Sequence, residues 1–519
     1  MWVRTLVVAV ALILPTSVVA APAPSAAAED VITGVVFDVH NHRPLNGIRV
    51  ELVVLDDEGE VQEVLASATT SGDWTTPGGW GYFRLEHSRT APWHAALRAV
   101  DPAGDWITSY DWSARSRPFP GAWLGEGPEP STRQFLDREQ LGMTSSGRYV
   151  PVNPVRVYDS RTSDVGRPVE RYDRVEVDLP QLGPASVAVV LNVTTTGTRC
   201  GTTYIAEASH VVGYPYGAES SIVNARGGAD VANLTTLKVH SSDDGMQYVM
   251  LYNDQCATDL VVDLQGVYLM DAPWLAGYYP VTPERVLDTR EGVGALAAGE
   301  SLEIPVTDLA SDVPAGAVAV AVNVTATAGT ASTSYLSAYA AGDPDGPQTS
   351  VLNAYRGADV ANLAIVPLSA DGAIEVYNNA GEQHVVLDVQ GWFTQQGGMS
   401  FWPIDHRRTV SATAPLLGPG GMRVTTDPGR GVEIPADAGA VALNLTSTHA
   451  TSPTTYLTAY PSGSERPLAS NLNARGGIDL ANGAIVGLGS DGGWAVYNNQ
   501  GSVQILEDVA GWFAPSRND

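Results

Sequence analysis

The chain contains almost no lysine. Lys238 is its one lysine, so the 29 basic residues are otherwise arginines, against 57 acidic residues and a formal net charge of −28. A nucleic-acid-binding protein needs a basic face, so this composition argues against that class. The acidity favours solubility and would repel an anionic membrane, so we expect neither a nucleic-acid partner nor membrane insertion.

Long segments with helical periodicity are also missing after the first twenty residues. Instead, β-branched residues alternate with polar ones, and the chain has 53 glycines and 34 prolines. This pattern predicts an all-β protein. A length of 519 residues predicts several domains, each able to bury a core.

The chain has one extended apolar run, at residues 6–14, which is too short to span a bilayer. Arg4 precedes the run, and Val18 and Ala20 stand at the −3 and −1 positions of a cleavage site before Ala21. Residues 1–20 therefore read as a signal peptide, followed by a small-residue linker at 21–30. We expect a protein that is released or held non-covalently at the cell surface.

Cysteine is scarce. Cys200 and Cys256 are the only two, and an even count in an exported chain predicts a disulfide. Closing that loop would contribute roughly 4 kcal/mol in the chain-entropy model. Two separate thiols are the alternative.

Sequence motifs for catalysis are missing as well. The chain has no nucleophile elbow, zincin helix, Cys–His pair or P-loop. We therefore predict no enzyme and no cofactor. His40 and His42 form a His-x-His pair, but no third ligand has suitable spacing, so no metal site is predicted.

Residues 31–113 show six or seven short strands separated by turns, which predicts a small β-sandwich. The segments at 34–38, 43–47 and 50–53, with Gly81, Phe83 and Leu85, resemble the transthyretin-like or carboxypeptidase-regulatory-like sandwich. That resemblance implies an accessory module of a secreted protein, and some related folds bind glycans. Residues 114–146 are rich in proline, glycine and charge and are predicted to be a linker.

The rest of the chain consists of three repeats, predicted at residues 147–270, 277–394 and 400–514. Each contains an Asn-x-Thr triplet, a strand with a tyrosine, a signature block and a closing Asp-x-x-Gly-aromatic motif. The signature block of repeat 2 is TSVLNAYRGADVANLAIV, residues 349–366. About eight strands per repeat predict three tandem jelly-roll-like β-sandwiches. The period is too long for a propeller blade, so we expect separate beads rather than a closed ring.

The run VTPERVLDTR at 281–290, the signature block and VQGWF at 389–393 resemble a tandem repeat of secreted actinobacterial proteins. That resemblance covers all three repeats and implies a surface-binding or spacer role without catalytic residues.

The signature block has two interpretations. Its recurring Asn, Gly, Asp and Asn could line a sugar site in each repeat. Alternatively, these residues serve the backbone, because Asn and Asp cap turns and Gly supplies positive φ; we favour that interpretation. The recurring residues are Asn224, Gly228, Asp230 and Asn233; Asn353, Gly357, Asp359 and Asn362; and Asn473, Gly477, Asp479 and Asn482.

Asp159 with Arg161, and Asp288 with Arg290, form i, i+2 pairs on predicted strands. Such residues share one face of a strand, so we expect ion pairs, with a polar ligand site as the alternative. In repeat 3, Ser411 and Thr413 replace the pair, and any site built on it is lost there.

The first domain is rich in tryptophan, and exposed indoles stack on sugar faces. Core or interdomain packing is the alternative for these residues. The candidate ligand-binding residues are Trp74, Trp80, Trp106 and Trp112.

Together these features predict a secreted, non-enzymatic protein that binds cell-surface or extracellular polysaccharide through several weak modules. The second hypothesis is a structural or assembly component whose repeats act as spacers and contact other surface proteins. The third is a glycan hydrolase, because acidic residues are plentiful.

Overall fold

The computed structural model describes residues 7–10, 30–37, 47, 49–55, 61–69, 82–87, 95–100, 109–111 and 146–516, apart from 164–165, 184, 209–219, 242–245, 271–273, 411–412, 430–431 and 433. Strands are numbered in chain order. As predicted, the fold is all-β, and one four-residue helix, α1 (Val306–Leu309), interrupts the described strands. No helix among these residues has the length and apolar character needed to cross a membrane.

The first domain has two antiparallel sheets, with strand orders β1-β2-β5 and β4-β3-β6-β7. Six or seven strands were predicted at residues 31–113, and six of the described strands lie there, the first of them beginning at residue 30. The strands of this domain are β1 (Val7–Val10), β2 (Asp30–Phe37), β3 (Arg49–Leu55), β4 (Val61–Thr69), β5 (Tyr82–His87), β6 (Ala95–Val100) and β7 (Ser109–Asp111). The first of these, β1, lies within the predicted signal peptide, and cleavage after Ala20 would leave β2 at the sheet edge.

Each repeat is a sandwich of two sheets. The strands of repeat 1 are β8 (Gly147–Asp159), β9 (Arg174–Asp178), β10 (Ser186–Thr196), β11 (Thr202–Glu207), β12 (Val223–Arg226), β13 (Val231–Lys238), β14 (His240–Ser241), β15 (Gln247–Asn253) and β16 (Asp259–Met270). Those of repeat 2 are β17 (Gly277–Asp288), β18 (Ser301–Ile304), β19 (Ala319–Thr327), β20 (Thr333–Ala340), β21 (Leu352–Tyr355), β22 (Val360–Pro367), β23 (Ile374–Asn378) and β24 (His384–Thr394). Those of repeat 3 are β25 (Ser400–Arg408), β26 (Met422–Thr425), β27 (Ala440–Thr448), β28 (Thr455–Pro461), β29 (Leu472–Ala474), β30 (Leu480–Gly487), β31 (Trp494–Asn498) and β32 (Gln504–Ala514).

The sheet that contains the first and last strands of a repeat is here called the inner sheet. In repeat 2 its order is β17-β24-β19-β22, and the outer sheet has the order β18-β23-β20-β21. Apolar residues between the two sheets form a separate core in each repeat. The signature block spans both sheets, because its first half forms β21 and its second half forms β22.

A further core joins all three repeats, and this shows that the expectation of separate beads is wrong. Six aromatic rings from the first and last strands form a cyclic arrangement. Between repeats, the ring centroids are 4.5 Å apart for Tyr149 and Phe393, 4.4 Å for Tyr278 and Phe513, and 4.7 Å for Phe401 and Tyr268. Each repeat thus contacts the other two through equivalent residues, so the repeats close into a ring around a pseudo-threefold axis.

The closing motif needs its glycine because these rings lie against the last strand. A Cβ at Gly391 would lie 2.1 Å from the Tyr278 hydroxyl oxygen, and one at Gly266 would lie 2.3 Å from that of Tyr149. Both tyrosines are buried and donate their hydroxyls to backbone carbonyls. The rings therefore have no room to shift, and glycine is required.

A layer of asparagine amides also surrounds the axis. Asn362 donates from Nδ2 to Oδ1 of Asn192 at 3.1 Å, and its own Oδ1 accepts the backbone N–H of Leu234 at 3.0 Å. Equivalent bonds link repeat 3 to repeat 2 and repeat 1 to repeat 3. Buried amides need such partners, so this layer fixes how the repeats dock.

Candidate binding site at the repeat junctions

Each inner sheet carries an ion pair between a partly exposed arginine and a buried aspartate, which sequence reasoning missed. The arginine lies on the first strand of the repeat, directly across from the aspartate of the closing motif on the last strand. In repeat 2, Arg285 donates from Nε to Oδ1 of Asp388 at 2.8 Å and from Nη2 to Oδ2 at 3.1 Å. The equivalent pairs are Arg156 with Asp263 and Arg408 with Asp508. An arginine and an aspartate recur at these positions in all three repeats, and that recurrence is the sequence signal that could have identified the ion pair.

The aspartates of these pairs also hold the neighbouring repeat. Oδ2 of Asp388 accepts the backbone N–H of Ser470 from repeat 3 at 3.2 Å. Oδ2 of Asp508 accepts that of Ser221 from repeat 1 at the same distance. Burial raises the pKa of Asp388, and Arg285 opposes that rise by bonding its charged form. Each pair thus places an arginine at the edge of a junction.

The expected ion pairs are present next to these arginines. Arg161 donates to Asp159 at 2.8 and 2.6 Å, and Arg290 donates to Asp288 at 2.8 and 2.5 Å. The aspartates are nearly buried, whereas the arginines are about half exposed, 48% for Arg161 and 49% for Arg290. The arginine hydrogen bonds lower the pKa of both aspartates, so both pairs stay charged at neutral pH.

A polar groove opens between repeats 1 and 2, with a volume of about 130 Å³. We call it the junction groove. Two arginines, an aspartate, an asparagine and three hydroxyl side chains line it, so both donors and acceptors converge there. Its lining residues are Arg156, Arg161, Thr194, Thr196, Asp230 and Val261 of repeat 1 and Ser350 and Asn353 of repeat 2.

A pair of tyrosines on the outer sheet adjoins the groove. Tyr335 and Tyr377 have ring centroids 6.2 Å apart, and both side chains are half-buried. Tyr335 lies directly across from Asn353 in the antiparallel β20–β21 pair, so the two share one face of the sheet. The tyrosine pair therefore lies on the same face of the outer sheet as Asn353, which lines the groove.

The other junctions have equivalent residues. Tyr456 and Tyr497 have centroids 6.3 Å apart, and Tyr456 lies across from Asn473. At the junction that joins repeat 3 to repeat 1, Thr413 stands where the other repeats have Arg161 or Arg290. Residue 411 lies outside the described residues. The three sites are thus related but unequal.

The signature block divides its roles between structure and surface. Gly357 has a φ of +66°, and its equivalents are also positive, so glycine serves the turn as expected. The second asparagine belongs to the buried amide layer. The first asparagine and the aspartate, by contrast, line the junction groove as Asn353 and Asp230. The backbone interpretation therefore holds for the glycine and the second asparagine, and the sugar-site interpretation of the other two positions stays a prediction.

Other predicted residues have different outcomes. Cys200 and Cys256 form the expected disulfide within repeat 1. The tryptophan candidates Trp74, Trp80, Trp106 and Trp112, like His40 and His42, lie outside the described residues.

A cluster of ionisable residues lies at the junction between repeats 3 and 1. Glu207, His240 and Asp405 each place one possible ligand atom within 4.8 Å of the others. Burial raises the pKa of Glu207, whereas at Asp405 the effect of burial is outweighed by the charges of Lys238, His240 and Arg407, which lower its pKa. Because these cations already balance Asp405 and Glu207 retains a proton, a metal ion would gain little there.

No protein-family model matches the chain, and no curated protein matches it. Among solved structures, the CBM22-1–CBM22-2 tandem domain of Paenibacillus barcinonensis Xyn10C is similar at 11% identity and a TM-score of 0.14, covering 48% of this chain and 97% of that chain. The structure of the triple jelly roll fold and turret assembly in an archaeal virus is also similar. It has 8% identity and a TM-score of 0.15, and the match covers 70% of this chain and 90% of that one. Likeness at these TM-scores carries no functional argument.

Proposed function

We propose that the protein is a secreted, non-enzymatic binding protein that recognises extracellular or cell-surface polysaccharide at the repeat junctions. The observation that carries this proposal is that the Tyr335–Tyr377 pair shares a sheet face with Asn353, which lines the polar junction groove. Tyrosine rings can stack on sugar faces, and the groove offers hydroxyl, amide, carboxylate and guanidinium groups to sugar hydroxyls.

The ring supports multivalent binding. Three related sites on one rigid body engage neighbouring segments of the same polymer at a high effective concentration, so weak single sites suffice. Export through the signal peptide, and membership of the secreted tandem-repeat group that the sequence motifs resemble, are part of this proposal. The disulfide is consistent with an oxidising, extracellular setting.

The test is a polysaccharide array with the full mature chain, followed by co-sedimentation with insoluble peptidoglycan, chitin and α-glucan. Arg161→Ala removes a half-exposed guanidinium from the groove and should weaken binding by about tenfold at that site, the effect of losing one charged hydrogen bond. Arg167→Ala is the matched control, because Arg167 makes a similar exposed ion pair with Asp173 at 2.9 Å but does not line the groove.

Two results would refute the proposal. One is a lack of retention on every polysaccharide. The other is an equal loss of binding in Arg161→Ala and Arg167→Ala. Trp74→Ala or Trp112→Ala tests separately whether the first domain adds a tryptophan platform.

A specific observation favours the second candidate function, an assembly component. The edge strand β26 exposes Met422 and Val424, which are 54% and 45% exposed. Charged or polar residues occupy the equivalent positions in the other repeats: Arg174 and Glu176 on β9, and Ser301 and Glu303 on β18. An apolar edge strand can pair with the same strand of a second copy of this chain, and sedimentation velocity of the full chain would detect the dimer.

A further inference from the structure

Three equivalent residues gather at one end of the pseudo-threefold axis. Arg226, Tyr355 and Arg475 each occupy the seventh position of their signature block, immediately before its turn. Strand β10 runs between the aromatic core and this end of the axis. Near its start, Ala188 pairs with Lys238 and with the core residue Tyr268, and near its end, Thr195 pairs with Val231 of the signature block. The three side chains are therefore separate from the six-ring core.

Tyr355 holds the group together across a repeat boundary. Its hydroxyl donates to the backbone carbonyl of Asp230 in repeat 1 at 2.7 Å and accepts the backbone N–H of the same residue. The guanidinium carbon of Arg226 lies 5.9 Å from the centroid of the Tyr355 ring. The tyrosine hydroxyl is thus fully engaged, and the ring supports the arginine.

Neither arginine is neutralised. Elsewhere in the ring, Arg156, Arg161, Arg285, Arg290 and Arg408 all pair with aspartates. Within the described part of the chain, Arg226 and Arg475 have no carboxylate partner, although acidic residues outnumber basic ones by about two to one. The Nε atom of Arg226 is buried without a hydrogen-bond partner.

Two arginines without a counter-ion are unfavourable in this position. Burial lowers the pKa of Arg226, and the charge of Arg475 lowers it further. Arg226 therefore has a buried donor without a partner and feels a like charge from Arg475, and both cost free energy. An anion between them would satisfy the donor and remove the repulsion.

We propose that Arg226 and Arg475 bind one oxyanion group, a phosphate, sulfate or carboxylate, at this end of the axis. Guanidinium groups present forked donors that match the geometry of such oxygens. The site is distinct from the junction groove and recognises charge rather than sugar hydroxyls. It forms only in the closed ring, because repeats 1 and 3 each supply an arginine and repeat 2 supplies the supporting tyrosine.

The test is isothermal titration and thermal unfolding of the full chain with sodium phosphate, sodium sulfate and sodium acetate at constant ionic strength set by chloride. We expect saturable binding to the wild type and a melting temperature that rises with the bound anion. Comparison of the three salts distinguishes phosphate and sulfate from carboxylate ligands.

Variants locate the site. Arg226→Gln and Arg475→Gln should each abolish the saturable response, whereas Arg167→Gln, which removes an arginine that is paired with Asp173 and lies outside the groove, should retain it. Without added oxyanion, Arg475→Gln should melt at a higher temperature than Arg167→Gln, because it relieves repulsion instead of breaking an ion pair. Absence of saturable binding to the wild type would overturn the proposal even if a variant failed to fold. Unchanged binding in both Arg226→Gln and Arg475→Gln would do the same.

Discussion

At the scale of single residues, Glu207 distinguishes the junction between repeats 3 and 1 from the other two. It is 7% exposed, and alanines occupy the equivalent positions, Ala338 and Ala459. One oxygen of its carboxyl accepts the backbone N–H of His406 at 2.6 Å. This buried carboxyl has neighbours of both charges, since Asp405 is negative and Lys238 is positive.

The pH dependence of stability follows from that environment. Burial and the negative charge of Asp405 raise the pKa of Glu207 above its ordinary value, despite the nearby Lys238 and Arg407. The folded protein therefore keeps a proton that the unfolded chain releases above about pH 4.5, and stability is lost as pH rises towards the raised pKa. Glu207→Gln should remove a slope in the free energy of unfolding of at most about 1.4 kcal/mol per pH unit between pH 5 and 8.

The measurement is urea unfolding of wild type and Glu207→Gln across that range. Only the difference between the two proteins isolates Glu207. His406 contributes with the opposite sign, because burial lowers its pKa and favours its neutral form. Parallel pH profiles would show that Glu207 is ionised alike in the folded and unfolded states.

At the scale of single elements, the sequence predicted strands well and their partners less well. Short strands were predicted within residues 31–113, and β4 and β6 are two of them, because alternating residues and flanking turns act locally. The ion pair of Arg285 and Asp388 joins residues 103 positions apart, and no local pattern places them on adjacent strands. The sequence shows that Asp230 and Asn353 are polar, but only the docking of repeat 1 against repeat 2 brings them into one groove.

The exposed face of β26 allows an element-scale test of assembly. Met422→Ser with Val424→Glu gives this strand the residues that repeat 2 has at the same positions, Ser301 and Glu303. If the edge pairs with a second copy, the wild type should sediment as a dimer at micromolar concentration and the variant as a monomer. A monomeric wild type at all concentrations would exclude this interface, and a dimeric variant would place the contact elsewhere.

At the scale of the whole molecule, the closed ring explains why the inner strands are apolar on both faces. Every residue of β19 is buried, with Val320, Val322 and Val324 in the core of repeat 2 and Ala319 and Ala321 in the shared core. Such continuous apolar runs are typical of strands covered on both faces. The apolar run of β19 is visible in the sequence. The prediction of separate domains relied instead on the length of the repeat, which is enough for each to fold independently.

The ring also determines the function that we propose, since the junction groove and the axial arginine site both need residues from more than one repeat. Repeats arranged as beads would carry the tyrosine pairs without the grooves. Closure of the ring is therefore the claim on which the rest depends.

Hydrogen–deuterium exchange of the full chain with Phe401→Ala tests closure most directly. Phe401 belongs to repeat 3 and contacts Tyr268 of repeat 1 at 4.7 Å, and its loss should cost about 3–5 kcal/mol. A closed ring predicts faster exchange in β10 of repeat 1 and β19 of repeat 2 as well as in β27 of repeat 3, because the shared core loosens as a unit. Faster exchange confined to repeat 3 would contradict the closed ring.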